Sequence, residues 1–114
     1  MPKKLKSANI TNRGTPLRRI STHPGDVLRE EFLAPLGLSG NALALALRVP
    51  ANRISLILRE ERGVTPDTAL RLARYFGTSP EFWMNLQKTY DLSKILTEEG
   101  PRIEREVLPY ETAH

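Results

Sequence analysis

The chain has 114 residues, 39% hydrophobic and 26% charged, with no cysteine and only two histidines, His23 and His114. That is enough for one domain with a modest core; disulfides, thiolate metal sites and cysteine nucleophiles are excluded, and a metal site built from histidine is not expected. The net charge of +4 is concentrated at one end: Lys3, Lys4, Lys6, Arg13, Arg18 and Arg19 precede the first acid, Asp26, and without them 11 basic residues face 13 acidic ones. No apolar run approaches membrane-spanning length, and the basic N-terminus lacks the apolar segment of a secretory signal, so a cytoplasmic protein with no membrane partner is expected.

Residues 1–21 show no helical period and are rich in Lys, Arg, Asn, Thr and Gly. They predict a flexible basic arm, suited to nucleic-acid phosphates or simply to solubility. The first helix opens in "THPGDVLREEFLAPLG": Pro24 fits a first helical position, Asp26 a first turn, and Gly37 a stop, with Leu28, Phe32 and Leu36 repeating every four residues. "LSGNALALAL" starts the second with Ser39 as N-cap, and "VPANRISLILRE" forms the third with Pro50 near its start. In "GVTPDTALRLARYFG" Thr65 caps, Pro66 leads and Gly77 stops; "TSPEFWMNLQKTYDLSKIL" repeats the grammar with Ser79, Pro80 and Glu81. No strand-like alternation occurs, which predicts an all-α domain of five short helices over 22–98. Residues 99–114, after Gly100-Pro101, read as a tail that is either a short helix, with Ile103 and Val107 four apart, or an extended strand, Pro109 ending either; the preferred reading is an extended tail or one in contact with a second copy.

The third helix has two chemically different faces. At about 3.6 residues per turn, Ile54, Ile57 and Leu58 point inward, while Asn52, Ser55, Leu56 and Arg59 share the opposite side, flanked by Ala51 and Arg53. Asn pairs with adenine, Arg with guanine, and an aliphatic group meets a thymine methyl. A polar outer face alone is ordinary. The preceding segment adds a small Ala44 in mid-helix, a joint as short as Arg48-Val49, and Ile54 and Ile57 at fixed offsets. This order is helix-turn-helix grammar over 39–59. The turn usually takes glycine because one residue there tends to be left-handed; Arg48 would bear a cost on the order of 1 kcal/mol. The N-terminus of the second helix, with Ser39, Gly40 and Asn41, offers free N–H groups to a phosphate. Ser39, His23 and Asp26 have the residue types of a catalytic triad, but a histidine beside proline at a helix start reads as a local cap, and no enzyme or cofactor is expected.

The pieces "HPG" with "LREEFL", "GVTPDTALRLARYFGTSPEFW" and "NLQKTYDL" closely resemble the HigA-type, or VapI-type, antitoxins of type II toxin–antitoxin modules, small members of the lambda-repressor-like helix-turn-helix (XRE) superfamily. The resemblance runs from about Thr22 to Leu92. Gly40, Arg48 and "REERG" depart from the family's usual pattern. The resemblance implies a protein that binds and neutralises a HigB-like, RelE-type ribonuclease toxin and, as a homodimer, represses its own operon by binding operator double-stranded DNA. It implies no small-molecule ligand. The DNA-contacting set would be Ser39, Gly40, Asn41, Ala51, Asn52, Arg53, Ser55, Leu56 and Arg59, with Arg62 and Thr65 as phosphate contacts. The acidic first helix, through Asp26, Glu30 and Glu31, complements a basic toxin better than the arm does. A stand-alone regulator with no toxin partner is the alternative. Phe82, Trp83 and Leu86 are expected to close the core against Leu72 and Phe76, with a dimer seam on the fifth helix and tail as the other reading.

Overall fold

The computed structural model describes residues 19–111, so residues 1–18 of the expected basic arm and 112–114 of the expected tail lie outside the described residues. Among the described residues the secondary structure is entirely helical and forms five helices. Helix α1 is continuous but changes pitch: α-helical Pro24–Val27, π-helical Leu28–Leu33, then α-helical Ala34–Leu36. Helices α2 (Gly40–Leu47), α3 (Ala51–Leu58), α4 (Pro66–Phe76) and α5 (Pro80–Glu106) follow.

The helix ends follow local side-chain chemistry. Hydroxyls of Ser39, Thr65 and Ser79 accept from the N–H groups of Ala42, Thr68 and Phe82 at 3.0, 3.4 and 3.0 Å, satisfying donors that a helix start leaves unpaired. Gly37 and Gly77 end α1 and α4 in the left-handed region, at φ 62° and 78°. His23 caps α1, its Nδ1 accepting from the Gly25 N–H at 2.8 Å. The four-residue repeat expected in α1 does not hold. The π turn adds a residue per turn, so Leu28 and Leu33, five apart, are the buried pair while Leu36 is 63% exposed.

The unit formed by Ser21–Leu92 has one core, with Leu28, Leu43, Ile54, Ile57, Leu72 and Trp83 fully buried. Phe32 lies 4.9 Å from Phe76 and 5.0 Å from Trp83 between ring centroids, within the range of favourable aromatic pairs. The Trp83 indole N–H donates to Thr78 Oγ1 at 2.8 Å. Phe82 and Leu86 pack against the same core, as the sequence suggested. Gln87, almost fully buried, accepts from the Val64 N–H at 2.6 Å through Oε1 and donates to Asp91 at 3.0 Å. It pins the segment before α4 to α5.

In the other unit the described part is mostly the end of α5. The chain does not become extended after Gly100-Pro101: the helix runs through both to Glu106 and spans 27 residues. Proline fixes a φ that suits a helix and loses only its own N–H bond, at a steric cost. Arg102 pairs with Glu99 on one side of Pro101 and Glu106 on the other, and Lys94 pairs with Glu98. Such exposed i,i+3 and i,i+4 contacts favour the helical conformation locally and are weakened by solvent screening.

The cap on α1 gives a pH dependence with a definite sign. Burial, the largest influence, lowers the His23 pKa below its ordinary value; the carboxylates of Glu60, Asp91 and Asp26 act in the opposite direction, and Arg29 acts with burial. Its capping role also needs an unprotonated Nδ1. Unfolding lets the ring take up a proton more easily, so its contribution is complete above about pH 6.5 and declines as pH falls from there through the folded-state pKa. Denaturant melts from pH 7.5 to about 5 are expected to show this decline in the parent protein. His23→Asn, which keeps a side-chain acceptor at the cap, is expected to remove that component.

Candidate nucleic-acid interface

Helix α2 begins at Gly40: a Cβ there would stand 2.9 Å from Leu58 Cδ1 and 3.6 Å from Ile54 Cγ2. A Cβ would be accommodated by a shift of the Leu58 side-chain end, so packing permits rather than requires the departure at Gly40, and α2 sits close against α3. Ala44, 2% exposed, lies at the crossing. The turn closes as the sequence predicted, with Arg48 left-handed at φ 61° and ψ 47°. Its N–H donates to Leu45 O at 3.2 Å and the Val49 N–H to Ala44 O at 3.1 Å, the paired closure of a Schellman turn. The Arg48 side chain is exposed. Pro50 is extended and feeds α3.

On α3, Ile54 and Ile57 are fully buried, while Ala51, Asn52, Ser55 and Arg59 are exposed and Leu56 is half-buried. The outward face is therefore assembled as expected. The Ser55 hydroxyl is turned back onto Asn52 O at 3.4 Å. Asn41, at the start of α2, and Arg62, before α4, are exposed. Ser39 and Thr65 spend their hydroxyls on caps. With His23 also a cap, the triad-like residues Ser39, His23 and Asp26 each have a local structural task; Asp26 is held by Arg29 at 2.7 Å.

Two charge networks were not legible in the sequence. Arg53, whose side chain is 25% exposed, pairs with Asp67 at 2.5 Å, and the same carboxylate oxygen accepts from Arg71 at 3.0 Å. Arg71 also donates to Leu47 O at 2.9 Å, closing the end of α2. The hydrogen bonds from Arg71 and then Arg53 hold the Asp67 carboxyl below the usual carboxylate range. Arg53 thus does not stand free beside the outward face. Arg29 forms the second network: it donates to the Leu58 carbonyl and pairs with Asp26, Glu30 and Glu60. Of the three acids expected to face a partner, Asp26 and Glu30 share this guanidinium, and Glu31 is exposed. Arg59 meets Glu61 at 3.4 Å, with both side chains more than half exposed.

Two short helices crossing over a left-handed turn, the second packed by isoleucines and polar outward, define a helix-turn-helix protein. A family model described as helix-turn-helix matches residues 28–83, and the chain belongs to this XRE-type family, in the group of the HigA antitoxins. Virulence-associated protein I of Dichelobacter nodosus is 60% identical over 61% of this chain and 65% of its own length, so the chain spans just under two thirds of that relative. An uncharacterised helix-turn-helix transcriptional regulator of Escherichia coli K12, YbaQ, is 40% identical over 82% of this chain and 81% of its own. The structure of the Pseudomonas aeruginosa antitoxin HigA with the higBA promoter is 48% identical, covers 80% of this chain and 98% of that one, and superposes with a TM-score of 0.77.

The turn carries a measurable cost. Arginine in the left-handed region is less favourable than glycine by about 1 kcal/mol, and the exposed Arg48 side chain makes no hydrogen bond or ion pair among the described residues that would offset it. Arg48→Gly is expected to stabilise the domain by about 0.5–1 kcal/mol, raising the melting temperature by a few degrees. An unchanged or lowered midpoint would mean that the side chain is held by something outside this turn.

Proposed function

We propose that the protein is a HigA-type antitoxin that acts in the cytoplasm, binds its own operator as a homodimer with α3 in the major groove, and neutralises a HigB-like ribonuclease toxin. The observation that carries the DNA reading is the outward face of α3: Asn52, Ser55 and Arg59 lie exposed over the fully buried Ile54 and Ile57. In this reading Asn52 and Arg59 pair with base edges and Leu56 meets a thymine methyl, while Ala51 is small enough for the backbone to approach. Backbone N–H groups around Ser39, Gly40 and Asn41, and the exposed Arg62 and Thr65, take phosphates.

One copy reads only a few base pairs, so two copies on half-sites roughly 34 Å apart are needed. Exposed Ile95 and Ile103 recur along the later part of α5, at a spacing that puts them on one helical face, and supply an apolar seam for the second copy. The toxin reading is supported by kinship to HigA antitoxins and by the exposed Glu30 and Glu31, whose charge complements a basic RNA-cleaving partner.

Titration of the chain's own promoter fragment tests the first role. Arg59→Ala is expected to weaken binding by about 1–3 kcal/mol, the cost of losing a bidentate base contact; unchanged affinity would remove Arg59 from the reading face. Co-expression with the neighbouring reading frame tests the second. Charge reversal at Glu30 and Glu31 is expected to weaken toxin capture and leave promoter binding intact, and the opposite pattern would sink this assignment. Promoter binding with no captured partner would identify a stand-alone regulator.

A further inference from the structure

We infer that Asp67 sets operator specificity as a positioning residue, holding Arg53 in an intramolecular ion pair where a duplex phosphate would otherwise draw it. The inference rests on the duplex-binding reading above and concerns residues on α3 and α4 alone. Arg53 belongs to the first turn of α3, beside the outward face, and by sequence it is a free cation there. In the fold its guanidinium lies 2.5 Å from Asp67 Oδ2, and its own side chain is 25% exposed although that of Asp67 is 55% exposed. Arg59, at the other end of the same helix, is a contrast: its acid, Glu61, is 3.4 Å away and its side chain is 60% exposed.

Asp67 is itself fixed. It occupies the first turn of α4, where the helix dipole favours an anion. Its carboxylate also binds Arg71 at 3.0 Å, and Arg71 is anchored on Leu47 O at 2.9 Å. An oxygen so placed presents to Arg53 what a phosphate presents: a stationary anionic acceptor. A phosphate reaching Arg53 must displace that acceptor and gains little by the exchange. Sequence-independent attraction is thereby withheld at one cation, while the base-facing groups Asn52 and Arg59 remain open. Each guanidinium that does neutralise a phosphate steepens the salt dependence of binding by about 0.9 in log–log slope; a held Arg53 contributes none of that.

Fluorescence anisotropy on a random-sequence duplex and on the promoter duplex, across a salt series, tests this with Asp67→Asn, Arg53→Gln and the double variant. Asp67→Asn is expected to bind the random duplex about tenfold more tightly near 0.1 M salt, with a slope steeper by about 0.9. Its preference for promoter over random duplex is expected to fall. Arg53→Gln alone is expected to change random-duplex affinity by less than about twofold, and the double variant to return close to the parent. A random-duplex slope unchanged in Asp67→Asn overturns the inference. So does a gain that survives in the Arg53→Gln background, because it would reflect only the loss of an acid. A parent protein that binds neither duplex removes the DNA reading as well, whereas a parent that binds with no effect at Asp67 removes this inference alone. Thermal melts of each variant accompany the titrations, and Asp67→Ser, another first-turn residue, repeats the test if Asp67→Asn melts early.

Discussion

The placement of α3 depends on a contact at its back that admits no side chain. A Cβ on Gly25 would stand 1.9 Å from the carbonyl oxygen of Ile57 and 2.9 Å from its carbon, far inside any real separation, so α1 and the last turn of α3 meet backbone to backbone. Two further contacts exploit that approach. His23 holds the Gly25 N–H, which fixes the start of α1, and Arg29, one turn on, reaches across to the Leu58 carbonyl, one of the acceptors that a helix end leaves unpaired. The exposed face of α3 is therefore defined from behind: Ile54 and Ile57 enter the core, the helix end is clamped on α1, and Ala51, Asn52, Ser55 and Arg59, with the half-buried Leu56, are left to face outward.

The π segment of α1 belongs to the same arrangement. An α-helical α1 would put Leu28, Phe32 and Leu36 on one line. The wider turn over Leu28–Leu33 brings Leu33 into the core instead and releases Leu36, while Phe32 turns toward Phe76 and Trp83. Such bulges are uncommon, and cost helical hydrogen-bond geometry that tertiary packing must offset. Here the return is a cluster of Phe32, Phe76, Phe82 and Trp83 that joins α1, α4 and α5, the helices that support the helix-turn-helix rather than form it.

What was legible in the sequence was local. Caps at Ser39, Thr65 and Ser79, stops at Gly37 and Gly77, and the inward isoleucines of α3 each depend on residues within a turn or two of one another, and all were found where their chemistry puts them. The helix-turn-helix itself was legible for the same reason. The unread features join distant residues or override a local signal. Asp67 meets Arg53 across 14 positions, and Arg29 meets Glu60 across 31; nothing in linear spacing points to either. Gly100-Pro101 is strong local punctuation, yet α5 passes through it, with ion pairs spanning the break.

Helix α3 is bracketed by two left-handed residues that are not glycine, Arg48 before it and Glu60 after it, at φ 61° and 62°. Both close the same kind of turn: the Glu60 N–H meets Ile57 O at 2.9 Å and the Glu61 N–H meets Leu56 O at 2.9 Å, repeating the closure at Arg48 and Val49. Each conformation costs on the order of 1 kcal/mol relative to glycine. At Glu60 the side chain does something a glycine cannot, accepting from Arg29 at 3.3 Å, although such a partly exposed pair contributes only about 0.2–1 kcal/mol. It also adds an acceptor to the guanidinium that closes the end of α3. At Arg48 no described residue offers a comparable return. The two turns are thus alike in backbone and different in energetics: the cost after α3 is largely offset within the fold, and the cost before it is not.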